Sequence, residues 1–460
     1  MVIYFKYQLK RIKISSKSSI IFLSIFFLIL KIFASSYLIE INKSIYELSF
    51  GFGNLIKNLV ENGEFRSCFK EKCQYASRMP IIPLLIATLS HISKSQFIIA
   101  IIKNIFLSLF FIMNYLIIIK ISLIDKKFVN KLFLVSLIVL SFSLPLIKHS
   151  SSITYEEGYL IEPIILWLIS FLTALRLILI YKNKSASYKI ILTTSLLGLL
   201  IFLIKSSMLL IFILSLSLVA FSFWKFYKNK GQKIYPLASI IICIVTLSAW
   251  GIHQLNKTGK FSIMTSYDGE NFFRGNNDVS YKIYPHYSLD LIFNTQKISI
   301  KNELITSEIL FPDFSKFTNE VEWNEYYKKM SKEWIINNPK KFFNFFIKKI
   351  NNFYLSYKKT PYSIYENENQ ENNIKRIDKI FTAVWLIEGR IFLLATILLI
   401  IKRYMNNDKF MKIQSIIIIL ILLAYSIPYL IGFNYERHIT PFLLIVIICF
   451  FSLKTISQKK

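Results

Sequence analysis

Residues 96–122 read QFIIAIIKNIFLSLFFIMNYLIIIKIS, and this run decides the fold class. A helix rises about 1.5 Å per residue, so roughly 20 apolar residues cross the hydrocarbon of a bilayer. The run's two flanks differ in kind. On its C-terminal side the chain turns basic, LIDKKFVNK over 123–131. On its N-terminal side lies a longer polar segment, 40–95, that carries acids. The same alternation recurs along the chain. Candidate spans lie near 19–39, 96–122, 129–147, 159–181, 188–204, 207–224, 234–252, 380–402, 412–432 and 438–453. The expected fold is therefore an all-α polytopic membrane protein with about ten transmembrane helices.

The loops fix its orientation. Lys6, Lys10, Arg11, Lys13 and Lys17 precede the first span, which puts the N-terminus in the cytoplasm. The inner loops that follow are all basic. They carry Lys126, Lys127 and Lys131, then Lys182, Lys184 and Lys189, then Lys225, Lys228, Lys230 and Lys233, then Lys402, Arg403, Lys409 and Lys412. The tail, with Lys454, Lys459 and Lys460, returns to the cytoplasmic side. Of the 27 acidic residues only Asp125 and Asp408 fall in these basic loops. Chemistry is expected on the opposite, acid-bearing side. The first span is followed by no small-residue cleavage site and reads as an anchor, not a cleaved signal peptide.

Three regions follow. Residues 1–252 form an N-terminal membrane region that includes the first outer loop, 40–95; 253–378 form an extracytoplasmic domain; 379–460 form a C-terminal membrane region. The outer domain is rich in Trp, Tyr and Phe and reads as a small folded unit of mixed structure. Its stretch Val321–Tyr354 has a helical stripe broken at Asn338–Pro339. Residues 366–373, ENENQENN, read as a polar loop.

The formal charge of +29 suggests nucleic acid as a partner. The charge is dispersed over short loops between apolar runs, however, and forms no soluble basic face, so nucleic acid is excluded. No Gly-rich phosphate loop, nucleophile elbow or paired-His metal spacing occurs, and no metal site is expected. Cys243 and Cys449 lie in spans and read as packing residues.

Several outer residues can carry chemistry. Glu40 and Glu47 lie just past the first span. A carboxylate against an apolar wall can act as a general base, or either residue is an ordinary solvated acid. Phe52, Leu55, Leu59 and Val60 fit one face of a short helix lying on the membrane. Cys68 and Cys73, on the oxidising side, form a small disulfide loop or remain two nearby thiols. Arg78, in ASRMPIIP, can fork onto a phosphate or reach lipid head groups. The second outer loop, HSSSITYEEGYLIEP, brings Glu156, Glu157 and Glu162 close in sequence. Acids at this depth are functional candidates, though Glu162 before Pro163 also suits a helix start. Lys205 and the trio Glu436, Arg437 and His438 sit at the same outer level. Arg78, Lys205 and Arg437 can converge on one anion, or each can serve as an interfacial anchor. Glu388 and Arg390 lie in a span and are expected to neutralise each other.

Taken in order, these blocks resemble the GT-C superfamily of integral membrane glycosyltransferases, close to its protein O-mannosyltransferase and lipid A aminoarabinose transferase branch. NLVENGEF (58–65) before YASRMPIIPLLIATL (75–89) resembles the family's first-loop pattern. YLIEPIILWLISFLTAL (159–175) resembles its Glu-headed span, and LLGLLIFLIKSSMLL (196–210) a span ending in a cation. The segment 250–277 resembles the entry to its outer region, with a Gly-Asn pair at Gly275–Asn276. The segment 323–350 resembles its amphipathic helix, and YERHITPFLL (435–444) its closing motif.

The resemblance implies an inverting, GT-C type enzyme of a bacterial inner membrane. Its donor would be a sugar on a polyprenyl phosphate, with no further cofactor. Its acceptor would be a glycan, lipid or protein on the outer face. A first-loop acid, Glu47 or Glu40, would be the general base. Arg78, Lys205 and Arg437 would hold the donor phosphate. Asn276 would join Glu156, Glu157 and Glu162 in binding substrate. The chain departs from the family pattern at Leu48–Ser49, where an acid is expected, and at His253–Gln254, where Arg-Asn is usual. The catalytic acid is then Glu47 one position off, Glu40, or absent. A membrane transporter or flippase, and a polysaccharide polymerase or ligase, are the alternative readings.

Overall fold

The computed structural model describes residues 16–39, 42–49, 51–69, 72–181, 184–225, 234–285, 297–300, 303–306, 314–356, 373–432 and 436–455. Glu40 and most of the 366–373 loop lie outside them.

Helix α1 (Ser16–Leu38) leads into the first outer segment. That segment folds as a single turn (Ile45–Glu47), helix α2 (Phe52–Asn62), strands β1 (Ser67–Phe69) and β2 (Lys72–Gln74), and a short apolar helix α3 (Ile81–Ser90). The two strands pair antiparallel with Cys68 opposite Cys73, and the two sulfurs form a disulfide. Phe52, Leu55 and Ile56 are buried in protein, whereas Leu59 and Val60 are half-buried, so much of the apolar face of α2 packs inward.

Helix α4 (Gln96–Ile121) crosses back to the basic side. The next expected span, 129–147, is two helices: α5 (Lys126–Phe142) and α6 (Leu144–Ser151), bent by 88° at Ser143. Pro145 cannot continue the hydrogen-bond ladder of α5 and suits the first turn of a new helix. The hydroxyl of Ser143 caps that turn by accepting from the Leu146 amide.

Helix α7 (Glu157–Leu179) is mostly apolar and buried along nearly its whole length, which makes it the axis of the bundle. It packs on α8 (Lys184–Ile204), α4 and the last helix. The chain continues through α9 (Leu209–Lys225) and α10 (Ile234–Thr258), then the outer domain, then α15 (Asn373–Tyr404), α16 (Lys409–Ile431) and α17 (Glu436–Thr455). Gly198 of α8 lies against α9 so closely that a Cβ would meet Ser215 Oγ at 2.2 Å. Trp167 Nε1 donates to that same hydroxyl at 2.7 Å. Among the described residues nine straight helices are long and apolar enough to span, and the bent pair makes ten if counted as one. The chain is thus a mainly helical, multi-pass membrane protein.

The outer domain holds α11 (Asp268–Arg274), α12 (Asp278–Ile283), the β3–β4 hairpin (Lys297–Ile300, Glu303–Thr306), α13 (Glu320–Asn337) and α14 (Pro339–Tyr354). The α13–α14 boundary falls at Asn338–Pro339, where the sequence breaks its helical stripe. A ring cluster of Phe273, Phe314, Phe317, Trp323 and Tyr327 forms its core. Glu320 joins this domain to the first outer segment by accepting from the Tyr75 and Ala76 amides at 2.9 and 3.2 Å.

Charges inside the bundle are matched. Asp125 receives a forked bond from Arg176 and the Tyr181 hydroxyl at the inner end. Deeper in, Lys31 meets Glu162 at 2.6 Å, with both side chains almost wholly buried. Lys103 donates to the Ser150 and Ser152 carbonyls at 2.7 Å each, at the C-terminal end of α6, where a cation is favoured. Arg390 donates to the Phe353 and Ser356 carbonyls and does not pair with Glu388. Residues two apart on a helix point to different sides, which is why the expected neutralisation does not form.

Candidate functional site

A cavity of about 370 Å³ opens between the outer ends of the helices and the outer domain. Three segments far apart in sequence supply its cations: Arg78 from the loop before α3, Lys205 from the α8–α9 turn, and Arg437 from the start of α17. Arg274 of α11 is a fourth, paired with Glu270. Arg78 lies between the rings of Phe52 and Tyr267, at 4.9 and 5.2 Å from their centroids. A guanidinium close to two ring faces loses freedom, which suits it to anion recognition.

Glu157 is the hub. Its Oε1 receives Lys205 Nζ at 2.5 Å and lies 3.5 Å from His438 Nε2. Its Oε2 lies 4.0 Å from Arg437 Nε. Glu156 adds a second contact to Lys205 at 3.2 Å. His438 stacks on Tyr429 with centroids 4.2 Å apart, and Arg437 lies over Tyr155 at 5.1 Å. One buried carboxylate therefore gathers three basic side chains from two helix ends.

Asp268 lines the same cavity and is bound differently. Its Oδ1 accepts from the Ser206 and Thr265 hydroxyls at 3.0 and 3.1 Å, and none of the described residues makes an ion pair with it. Burial pushes its carboxyl up to about 6, against the pull of those two hydrogen bonds. Burial likewise pushes the Tyr267 hydroxyl up to about 12.

The expected residues thus divide. Arg78, Lys205, Arg437, Glu156 and Glu157 meet in the cavity. Glu162 does not line it; it is paired with Lys31 inside the bundle. Asn276 does not line it either. Its amide donates to the Phe272 and Ile431 carbonyls and ties the outer domain to the end of α16. Beside it Gly275 touches Gly432, where a Cβ would meet the Gly432 carbonyl oxygen at 1.8 Å. Glu47 is exposed and accepts from the Ser44 amide at 3.3 Å, closing a capping box on its own turn. Asp268 and Arg274 were not singled out by sequence, since no charge pattern around SYDGENFFRG marks them. Among the described residues no group of three His, Cys, Asp or Glu side chains is gathered to hold a metal ion.

No known protein family matches this chain, and no curated protein matches it as a relative.

Proposed function

We propose that the cavity binds a sugar carried on a polyprenyl phosphate and transfers the sugar to an acceptor hydroxyl on the outer face, as in GT-C glycosyltransferases. The observation that carries this reading is the meeting of Arg78, Lys205 and Arg437 in one cavity at the ends of the apolar helices. In this reading the donor phosphate lies among these cations, the sugar fills the cavity, and the lipid tail runs along apolar helix surface. The acceptor oxygen attacks the anomeric carbon opposite the phosphate. The carbon–oxygen bond to phosphate breaks, its electron pair leaves with the phosphate, and the sugar inverts. Cations fixed before the reaction stabilise the charge that develops there. Glu157 keeps Lys205, Arg437 and His438 in place. Glu47, exposed and bound to its own turn, carries no step.

The test is transfer of labelled sugar from a panel of polyprenyl-phosphate sugars to membrane extract. Wild type should transfer from at least one donor, and Arg78→Ala should lose on the order of 100-fold. Absence of transfer from every donor by a folded wild type would refute the reading.

One observation favours transport instead: Lys31, Lys103 and Glu162 are ionisable groups inside spans. Yet Lys31 and Glu162 bond each other, Lys103 bonds backbone carbonyls, and none of the three lines either described cavity. Substrate-dependent flux in vesicles, lost in Glu162→Gln, would revive that reading.

A further inference from the structure

We propose that Asp268, in the outer domain, is the group that takes the acceptor's proton. The inference rests on the sugar-transfer reading of the cavity. A general base must lie in the reaction chamber and must be able to gain a proton there. Of the acids lining the cavity, Glu156 and Glu157 are ion-paired to Lys205. Protonating either would remove one of the two carboxylates that compensate the buried Lys205 charge, which is costly. Asp268 has no ion pair among the described residues; its Oδ1 accepts from two hydroxyls, and the Thr265 backbone and Lys328 also favour its charged form. Its Oδ2 is shielded and has no hydrogen-bond partner among the described residues. A buried acceptor left unsatisfied is expensive, and a hydroxyl donating to it removes that cost. Such contacts tighten once substrate is bound.

The position is also braced. The Gly269 amide, next along the chain, donates to Asn324 Oδ1 at 2.6 Å. A Cβ at Gly269 would meet the Asn324 carbonyl oxygen at 2.1 Å, so α11 is pressed onto α13 at this point. These contacts brace the backbone that carries Asp268.

The step balances. The acceptor's O–H proton passes to Asp268 as its oxygen bonds to the anomeric carbon. The electron pair of the breaking bond leaves on the phosphate. Asp268 returns the proton to water. The charged and titratable groups around it are Lys328 on α13, Arg78 and Lys205 across the cavity, and Tyr267, Glu270 and Arg274 on its own segment. Burial already lifts the carboxyl to about 6, so it is mostly ionised at neutral pH and ready to accept.

The experiment compares wild type, Asp268→Asn and Thr265→Ala purified in detergent. Native mass spectrometry reads binding of a short-chain polyprenyl phosphate. Release of label from the donor panel, to membrane extract or to water, is followed from about pH 5 to about pH 9. Asp268→Asn should bind the lipid within about threefold of wild type and lose on the order of 100-fold or more in transfer. Wild-type transfer should rise with pH through a point near 6. That acid limb should be missing from the variant's residual activity. Thr265→Ala removes a hydrogen bond that favours the charged carboxylate, so its limb should move to higher pH. Transfer by Asp268→Asn near the wild-type rate, or with the same acid limb, overturns the role of Asp268 and leaves the site reading standing. If Asp268→Asn does not fold, an unmoved limb in Thr265→Ala overturns it. A wild type that neither binds the lipid phosphate nor transfers overturns the site reading, and this inference with it.

Discussion

Two charged clusters of this protein share helix α7, and they are built on opposite plans. Around Glu162 the charges are bound within the bundle: Lys31 pairs with its Oε1, Lys103 caps the C-terminal end of α6, and Asn104 donates to Ser35 Oγ at 2.9 Å, while Glu162 Oε2 has no hydrogen-bond partner among the described residues. Nothing there opens onto a described cavity. Around Glu157 the charges surround a space of about 370 Å³. Lys205 and Arg437 reach it from the mouths of two different helices, and Arg78 joins from the first outer loop. A closed cluster must stay paired for the fold to hold, whereas an open one is available to a ligand. Glu162 lies five positions after Glu157 on α7, which turns them about 140° apart around the helix. One helix thus serves both clusters.

If the comparison is right, breaking the closed cluster should cost the most stability. Glu162→Ala leaves Lys31 buried and unpaired, a loss of about 3–5 kcal/mol, seen as poor yield and a lower unfolding temperature in detergent. The double replacement Lys31→Met with Glu162→Leu should recover most of it, because neither charge then remains. Recovery of sugar transfer by the double variant would sharpen the contrast, and loss of transfer in a stable double variant would break it.

The open cluster should behave the other way. Arg437→Ala should leave unfolding within about 1 kcal/mol, since its side chain is partly exposed and lies as far as 4.0 Å from Glu157. Transfer should fall on the order of 10- to 100-fold. A large stability loss with normal transfer would reverse the assignment.

The outer domain adds a pH dependence. Asp268 and Glu320 are buried carboxyls raised above their ordinary values, chiefly by loss of water. The folded protein therefore holds protons that the unfolded chain has already released. Stability falls as pH rises from the ordinary carboxylate range, about 4, to a little above 6, and is flat beyond. Asp268→Asn should remove the Asp268 share of that slope, measured as unfolding temperature against pH. The smallest effect is expected at Glu47. Glu47→Gln weakens an exposed cap worth roughly 0.5–1 kcal/mol and should leave transfer within about twofold.

Much of this was legible in the chain. The spans, the acid-bearing side and the break at Asn338–Pro339 follow from apolar run length and from proline. Arg78, Lys205 and Arg437 could be grouped because each stands at a span end on the same side. What failed was helical phase and distance. Glu162 is near Glu157 along the chain but faces Lys31, because one residue more or less turns a side chain by about 100°. Ser143–Leu144–Pro145 sits inside an apolar run, so the run looked like one span until the proline turned it. Asp268 carries no local mark. Its hydroxyl partner Ser206 is 62 positions away, and only the packing of the outer domain on the α8–α9 turn brings them together. Asn276 resembles a binding residue in sequence, and its amide is spent on two carbonyls.

The most direct test of the central claim is binding of a short-chain polyprenyl phosphate by native mass spectrometry, comparing wild type with Arg78→Ala and Arg437→Ala. The account predicts a bound lipid phosphate in wild type and affinity lowered about tenfold or more in each variant, at least about 1.4 kcal/mol apiece. Equal binding by all three proteins, or none by a folded wild type, would contradict it.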